Sequence, residues 1–432
     1  MYRVWNFVTN YSLLLILGAV IALVWANTDP HSYHFVVDYP ILFNDWVGVD
    51  AEYWLKSYGK YYQITDITGS EKVLSFHYLV NDILMAFFFA IAAKEVWEAV
   101  ILKNGSLRGK KAATPLFATA GGMIGPIAVY LGLAAFLGSD TYDAVANGWA
   151  IPTATDIAFS YLVGRMVFGA GHPAVRFLLL LAIADDAAGL LILAVFYPSG
   201  ELAPAWLLLS LFSAISVYVA FNWLPRAMDK GDQLRRRSTW VRERLSFWPY
   251  LIAACLSWYG FQESGLHPAL GLLPIVPTLP HADRAFGIFA EAEQYLTDLL
   301  NHCQHLLKHP VEVILFFFGL LNAGVEFSAI AAPTWLVLAG LIVGKPAGVL
   351  LFGWFAASPM GLGLPQGMRT VDLIVIGCVA AIGFTVSLFI ASVAFDPGPV
   401  QDAAKMGALL SFFAAVLSVV AGKLAKVEKQ PG

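Results

Sequence analysis

Leu178-Leu179-Leu180-Leu181-Ala182-Ile183-Ala184-Asp185-Asp186-Ala187-Ala188-Gly189-Leu190-Leu191-Ile192-Leu193-Ala194-Val195-Phe196 is the stretch on which the reading of this chain turns. At about 1.5 Å per residue, a helix of this length nearly matches the roughly 30 Å hydrocarbon core of a bilayer. Its only charges are two adjacent aspartates at its middle. A carboxylate at that depth is expensive and by default marks function. The bland alternative is a helix end near water, and the apolar residues on both sides argue against it. Adjacent helical residues point about 100° apart, so one of the pair faces a cavity while the other lines its side. Two such carboxylates do not both ionise in a low-dielectric site without a cation. Either a proton is shared, or a metal ion sits between them, or a lysine pairs with one. The pair Asp185 and Asp186 therefore takes H⁺ and a hard cation in competition. Oxygen ligands suit small hard cations, a preference extended here from Mg²⁺ and Ca²⁺ to Na⁺ and Li⁺.

The rest of the chain has the same character. Of its 432 residues, 59% are hydrophobic and only 13% charged. An average soluble domain carries about 25% charged residues, and the deficit fits a surface that faces lipid. A net charge of −4 suggests no nucleic-acid partner. Cys255, Cys303 and Cys378 show no spacing typical of a metal site or a disulfide framework. Apolar runs lie near Tyr11–Ala26, His77–Val100, Ala113–Leu137, Asn147–Met166, Ala174–Phe196 and Pro204–Trp223. Others lie near Phe247–Phe261, Leu266–Leu279, Val311–Ala329, Thr334–Phe355, Leu373–Phe395 and Met406–Ala425. They predict an all-α polytopic membrane protein with about twelve transmembrane helices, one transporter domain over residues 1–432. The first run is read as a retained span rather than a signal peptide, because many spans follow and Arg3 is the only preceding positive charge.

Loop charge sets the expected orientation. Arg226, Lys230, Arg235, Arg236, Arg237, Arg242 and Arg244 fall in or next to the loop 224–245. Lys103, Arg108, Lys110 and Lys111 follow the second run, and Lys423, Lys426 and Lys429 close the chain. Asp140 and Asp143 follow the third run with no Lys or Arg. The positive-inside rule then puts both termini in the cytoplasm. The outer loop 27–76 alternates aromatic and polar residues around Tyr33–Phe43, which suggests a short β-hairpin. The inner stretch His281–His309, with Glu291, Glu293, His302, His305 and His309, reads as an amphipathic surface helix; its histidines lack the usual metal-ligand spacing.

Other charges stand where an apolar span should not have them. Asp156 follows Pro152-Thr153-Ala154-Thr155, where the proline removes a backbone donor and the hydroxyls of Thr153 and Thr155 can serve freed groups. This reads as a broken helix whose positive end Asp156 offsets, or as the N-cap of a shorter helix. Lys345, in Val343-Gly344-Lys345-Pro346, either snorkels to the interface or pairs with Asp185 or Asp186. Glu95, with Lys94 and Glu98, is an interfacial cluster or part of an ion entrance with a pH response. His267 is a helix-start histidine or a group titrating near neutral pH. The segment Ala380-Ala381-Ile382-Gly383-Phe384-Thr385-Val386-Ser387 interrupts a second span. Interrupted spans in corresponding parts of two repeats are a pointer to a transporter site, with half-helices whose ends need an anion, Asp156, and a cation, Lys345.

Taken in order along the chain, Asn81-Asp82, Gly121-Gly122-Met123-Ile124, Gly148-Trp149-Ala150-Ile151-Pro152 with Ala154-Thr155-Asp156-Ile157-Ala158-Phe159, Leu181-Ala182-Ile183-Ala184-Asp185-Asp186, Asn322-Ala323-Gly324-Val325, Gly344-Lys345-Pro346, and Ile382-Gly383-Phe384-Thr385 with Phe389-Ile390-Ala391-Ser392 resemble the NhaA-type bacterial Na⁺/H⁺ antiporters. The resemblance implies twelve spans in inverted-topology repeats, with two crossed discontinuous helices. It implies that Asp185 and Asp186 bind the transported Na⁺ or Li⁺ and the exchanged protons, with no cofactor. It implies that Asp156 and Lys345 compensate half-helix charges, and that Lys345 pairs with Asp185. An electrogenic exchange active at alkaline pH, an inner-membrane location and a homodimer formed partly through an outer hairpin also follow from it. The chain departs from the pattern in its longer outer loop, in its longer inner stretch with His305 where an acidic residue is expected, and in Lys94 and Trp97 beside Glu95. Two rivals are a Na⁺-coupled organic-solute symporter, which would need more mid-membrane polar groups, and an intramembrane aspartyl protease, whose aspartates lie on different helices. Gly340…Gly344-Lys345 lacks the spacing of an ATP-binding loop, and Pro346 stands where Ser or Thr is required.

Overall fold

A computed structural model of the chain describes residues 13–64, 67, 69–101, 107, 112–229, 236–280 and 299–430. Among these, six helices are long and apolar enough to cross a membrane: α4 (Phe76–Ile101), α5 (Ala113–Phe136), α8 (Pro173–Phe196), α9 (Pro204–Met228), α12 (Ala332–Ala357) and α15 (Pro399–Leu424). A seventh candidate is the pair α13 (Thr370–Ala380) and α14 (Phe384–Ala394), bent by 54° at its break. The shorter apolar helices α1 (Leu13–Thr28) and α7 (Ile157–Phe168) add to these, as do α10 (Trp248–Ser264) and α11 (Leu299–Asn322). Large apolar side chains such as Leu191, Val195, Phe212 and Val343 are exposed along these helices, as expected where lipid is the solvent. The chain is a multi-pass, all-α membrane protein apart from one small segment within residues 29–75 that carries a sheet.

That segment, which the sequence reading places in an outer loop, differs from its expected form. Tyr33–Phe43 does not fold as a hairpin. Asp29 caps the helix α2 (Pro30–Val37) by accepting from the Ser32 N–H, and Pro30 opens its first turn. The strand β1 (Pro40–Asn44) pairs antiparallel with β3 (Lys72–Ser75), which also pairs with β2 (Val49–Asp50), giving the order β1-β3-β2. Helix α3 (Ala51–Tyr62) packs on this sheet through Trp54, which with Ala51 and Val73 makes its core. The run Leu266–Leu279 also differs. It contains two short 3₁₀ turns, Pro268–Leu270 and Val276–Thr278, and no span-length helix. Pro268, Pro274 and Pro277 withdraw the backbone donors that a continuous helix needs. Of the inner stretch His281–His309, residues 281–298 lie outside the described residues, and the remainder begins α11.

The chain forms two compact units. One comprises the described residues within Met1–Val80, Gly109–Gly189 and Leu315–Gly432; the other, those within Asn81–Arg108 and Leu190–Ile314. In the first unit α5 lies tightly on α12. A Cβ on Gly121 or Gly125 would run into the carbonyl oxygens of Gly348 or Gly344, so only glycine permits this backbone approach. The contact fixes the height of the residue next to Gly344, Lys345. In the second unit α9 and α10 enclose an apolar core that includes Ala214, Val217, Tyr250, Ala253 and Ile275.

Candidate functional site

The first interruption forms as the sequence suggests. Ala146–Thr153 is a 3₁₀ stretch, residues 154–156 are extended, and α7 starts at Ile157. Asp156 is the N-cap of α7, accepting from the Phe159 N–H at 3.2 Å. It also serves the second interruption: the backbone N–H of Thr385 donates to Asp156 Oδ2 at 3.3 Å, and the Thr385 hydroxyl donates to the same oxygen. The cap reading holds, and the same carboxylate meets the N-terminal ends of both α7 and α14.

The two breaks lie against each other and satisfy one another's backbone. The Asp156 N–H donates to the Ile382 carbonyl at 2.7 Å. Ser160 Oγ donates to the Val379 carbonyl at 3.1 Å, and Ser387 Oγ to the Ile151 carbonyl at 2.7 Å. Freed backbone groups at membrane depth are tolerated only with such partners. Sequence reasoning placed Thr385 and Ser387 in the second interruption without naming their partners, and did not single out Ser160. Their signal was a hydroxyl within a turn of each break.

Asp185 sits beside this junction, 3% exposed. Its Oδ2 lies 3.0 Å from Lys345 Nζ and 2.6 Å from the Thr155 hydroxyl. Its Oδ1 is buried and has no hydrogen-bond partner among the described residues. Lys345 is fully buried, which excludes snorkelling; its ammonium also donates to the carbonyls of Thr153 and Ala154, the latter at 2.8 Å. Thr155 Oγ1 lies 3.1 Å from the Ala380 carbonyl, so it bridges Asp185 to the end of α13. Asp186, one position along α8, is partly exposed and within electrostatic reach of Asp185, Asp156 and Lys345. One lysine therefore stands against two neighbouring carboxylates. A single proton or small monovalent cation would balance the remaining charge, and the bare Oδ1 of Asp185 is an oxygen available to hold it.

Glu95 and His267 belong to the second unit. Glu95 is 9% exposed and belongs to a buried ion group: Lys94 Nζ is 2.8 Å from Glu98 Oε2 and 3.7 Å from Glu95 Oε1, and Gln304 Nε2 donates to Glu95 Oε1 at 3.1 Å. His267 opens the turn Pro268–Leu270, its Nδ1 accepting from the Ala269 N–H at 3.3 Å. The same nitrogen is 3.6 Å from Asp82 Oδ1, a mid-helix carboxylate that the sequence reading quoted without assigning it to a site.

Comparison with known proteins places the chain in a family. The family model described as Na⁺/H⁺ antiporter 1 matches residues 3–424. A protein of Jannaschia sp. (strain CCS1) named Na(+)/H(+) antiporter NhaA is 72% identical, with both chains covered in full. Proteins with the same name from Desulfitobacterium hafniense and Geobacter sulfurreducens are 44% and 40% identical, the first covering 98% of this chain and 96% of its own, the second 99% of each. On a family match that runs almost from end to end, this chain belongs to the Na⁺/H⁺ antiporter 1 family.

Proposed function

We propose that this protein is an electrogenic secondary antiporter of the bacterial inner membrane, exporting Na⁺ or Li⁺ in exchange for protons and so serving sodium and pH homeostasis. Asp185 and Asp186 are its ion-binding residues. The observation that carries the reading is the asymmetry at Asp185: one oxygen is held by Lys345 and Thr155, and the other is buried with no partner. A buried acceptor left open costs about 1–3 kcal/mol, and a ligand that fills it recovers that cost. From one side Na⁺ displaces protons from the pair; the site reorients, and protons displace Na⁺ on the other side. Competition for the same carboxylates couples the two flows and abolishes transport at low pH, where the pair stays protonated.

In this reading the breaks at residues 154–156 and 381–383 are the middles of two crossed, discontinuous helices related by an inverted repeat, in a twelve-span protein with cytoplasmic termini. Asp156 and Lys345 compensate the half-helix charges, and Thr155 supports them. Glu95 and His267 contribute to the pH response. The small outer sheet is the surface through which two copies associate.

The test is Na⁺- and Li⁺-driven proton movement in everted vesicles, followed with a pH-sensitive dye. Asp185→Asn and Asp186→Asn should each abolish it at every pH. Full exchange by Asp186→Asn removes the pair from the mechanism.

A further inference from the structure

The end of α8 at Pro173 is built around a buried histidine that the transport reading does not use. His172 is 5% exposed and follows directly on α7 through the turn Gly169-Ala170-Gly171. Its ring lies 5.2 Å from that of Phe168, the last residue of α7. The Ala174 N–H donates to His172 Nδ1 at 3.1 Å, and the Val175 N–H donates to the His172 carbonyl at 3.0 Å. His172 is therefore the cap of the helix that carries Asp185 and Asp186. A backbone N–H pointing at Nδ1 requires a lone pair there, so the ring is neutral with its proton on Nε2. An imidazolium has no lone pair and cannot accept.

The chain's last described residues hold this turn in place. The Gln430 N–H donates to the Phe168 carbonyl at 3.0 Å, and the Gly171 N–H donates to the Gln430 carbonyl at 3.1 Å. Gly169 has a φ of +85°, and a Cβ there would collide with the Gln430 backbone, so glycine lets the tail lie on the turn. Arg369 anchors the same tail from the start of α13, donating to the Ala425 and Lys426 carbonyls at 3.1 and 3.3 Å.

We propose that His172 is a positioning residue for the exchange, a pH-labile cap that fixes the Pro173 end of the ion-carrying helix when neutral and releases it when protonated. The charges that reach the ring come from α13: Asp372, which favours the proton, and Arg369, which opposes it and is itself paired with Asp372 at 3.2 Å. Arg165 on α7, Arg176 on α8, and Lys426, Glu428 and Lys429 on the tail are exposed to water. Burial outweighs Asp372 and holds the imidazole below its ordinary value. The folded state thus binds this proton more weakly than the unfolded chain. The cap's contribution is complete above about pH 6.5 and is lost as pH falls through the folded value.

The inference rests on Asp185 and Asp186 being the ion site on α8, and the test separates the two. His172→Asn keeps a capping oxygen at every pH, whereas His172→Ala has none. Thermal unfolding and Na⁺/H⁺ exchange are measured for both variants and the wild type from pH 5 to 9. The wild type should lose stability below about pH 6.5, His172→Asn should lack that step, and His172→Ala should be destabilised throughout. One helix cap is worth about a five-fold change in an equilibrium, so His172→Asn should exceed the wild type about five-fold in the acid limb of exchange. Superimposable pH profiles for His172→Asn and wild type overturn the proposal. If they superimpose while Asp185→Asn is inactive, only the cap is refuted. If Asp185→Asn transports, the ion-site reading fails instead, and the stability profiles alone still decide whether His172 caps α8.

Discussion

Replacing Lys345 by methionine is the sharpest perturbation of the buried cluster, because it leaves the chain length and removes the charge. The ammonium is fully buried, 3.0 Å from Asp185 Oδ2 and bonded to the Thr153 and Ala154 carbonyls. Removing one partner of a buried ion pair costs about 3–5 kcal/mol, since the other charge is left uncompensated. The two carbonyls each lose a donor, worth about 1–3 kcal/mol where nothing replaces it. These losses share one network and do not add in full, which puts Lys345→Met near 5 kcal/mol. At an unfolding entropy of about 2.1 cal/mol/K per residue, a chain of 432 residues should melt about 5 °C lower. The double variant Lys345→Met with Asp185→Asn leaves no orphaned charge, so it should recover roughly 3 kcal/mol of that loss. The assay is thermal unfolding of purified protein in detergent, read by tryptophan fluorescence, with the two singles and the double compared as a cycle. A double variant that melts at the sum of the two single losses would refute the reasoning, because then lysine and aspartate do not interact.

Two further substitutions probe the framework of the site. Thr385→Val deletes the hydroxyl that donates to Asp156 and should cost about 1.5–3 kcal/mol, with maximal exchange falling more than Na⁺ affinity; Thr385→Ser should restore both, measured as Vmax and KM against Na⁺. Gly348→Ala places a Cβ on the Gly121 carbonyl, so α5 and α12 must separate. Overpacking of this kind costs about 1–3 kcal/mol and should lower the melting temperature by about 2 °C.

The long apolar helices and the buried charges of Asp185 and Lys345 were legible for one reason. Lipid tolerates few charges, so an apolar run announces a span and a charge inside it announces a reason to be there. Lys345 and Asp156 were found by the same rule. What the rule does not supply is pairing. Thr385 reaches Asp156 across 229 residues, and nothing in the local pattern of either break names the other. The reading of the segment around Tyr33–Phe43 failed differently. Aromatic alternation around Tyr33–Phe43 favoured strand, although Asp29-Pro30 already carried an N-cap followed by a first-turn proline. There the local start signal outweighed the periodicity. In Leu266–Leu279 apolar composition alone predicted a span, and three prolines prevented it.

Asp82 shows what a depth rule needs beside it. It is a carboxylate inside the apolar helix α4, as unexpected there as Asp185 is in α8. Charge in an apolar run does not rank the two; geometry does. Asp185 has a lysine on one oxygen and no hydrogen-bond partner on the other. Asp82 approaches His267 Nδ1 at 3.6 Å, and that nitrogen already accepts the Ala269 N–H. The exchange proposed at Asp185 starts from an oxygen that no hydrogen bond occupies.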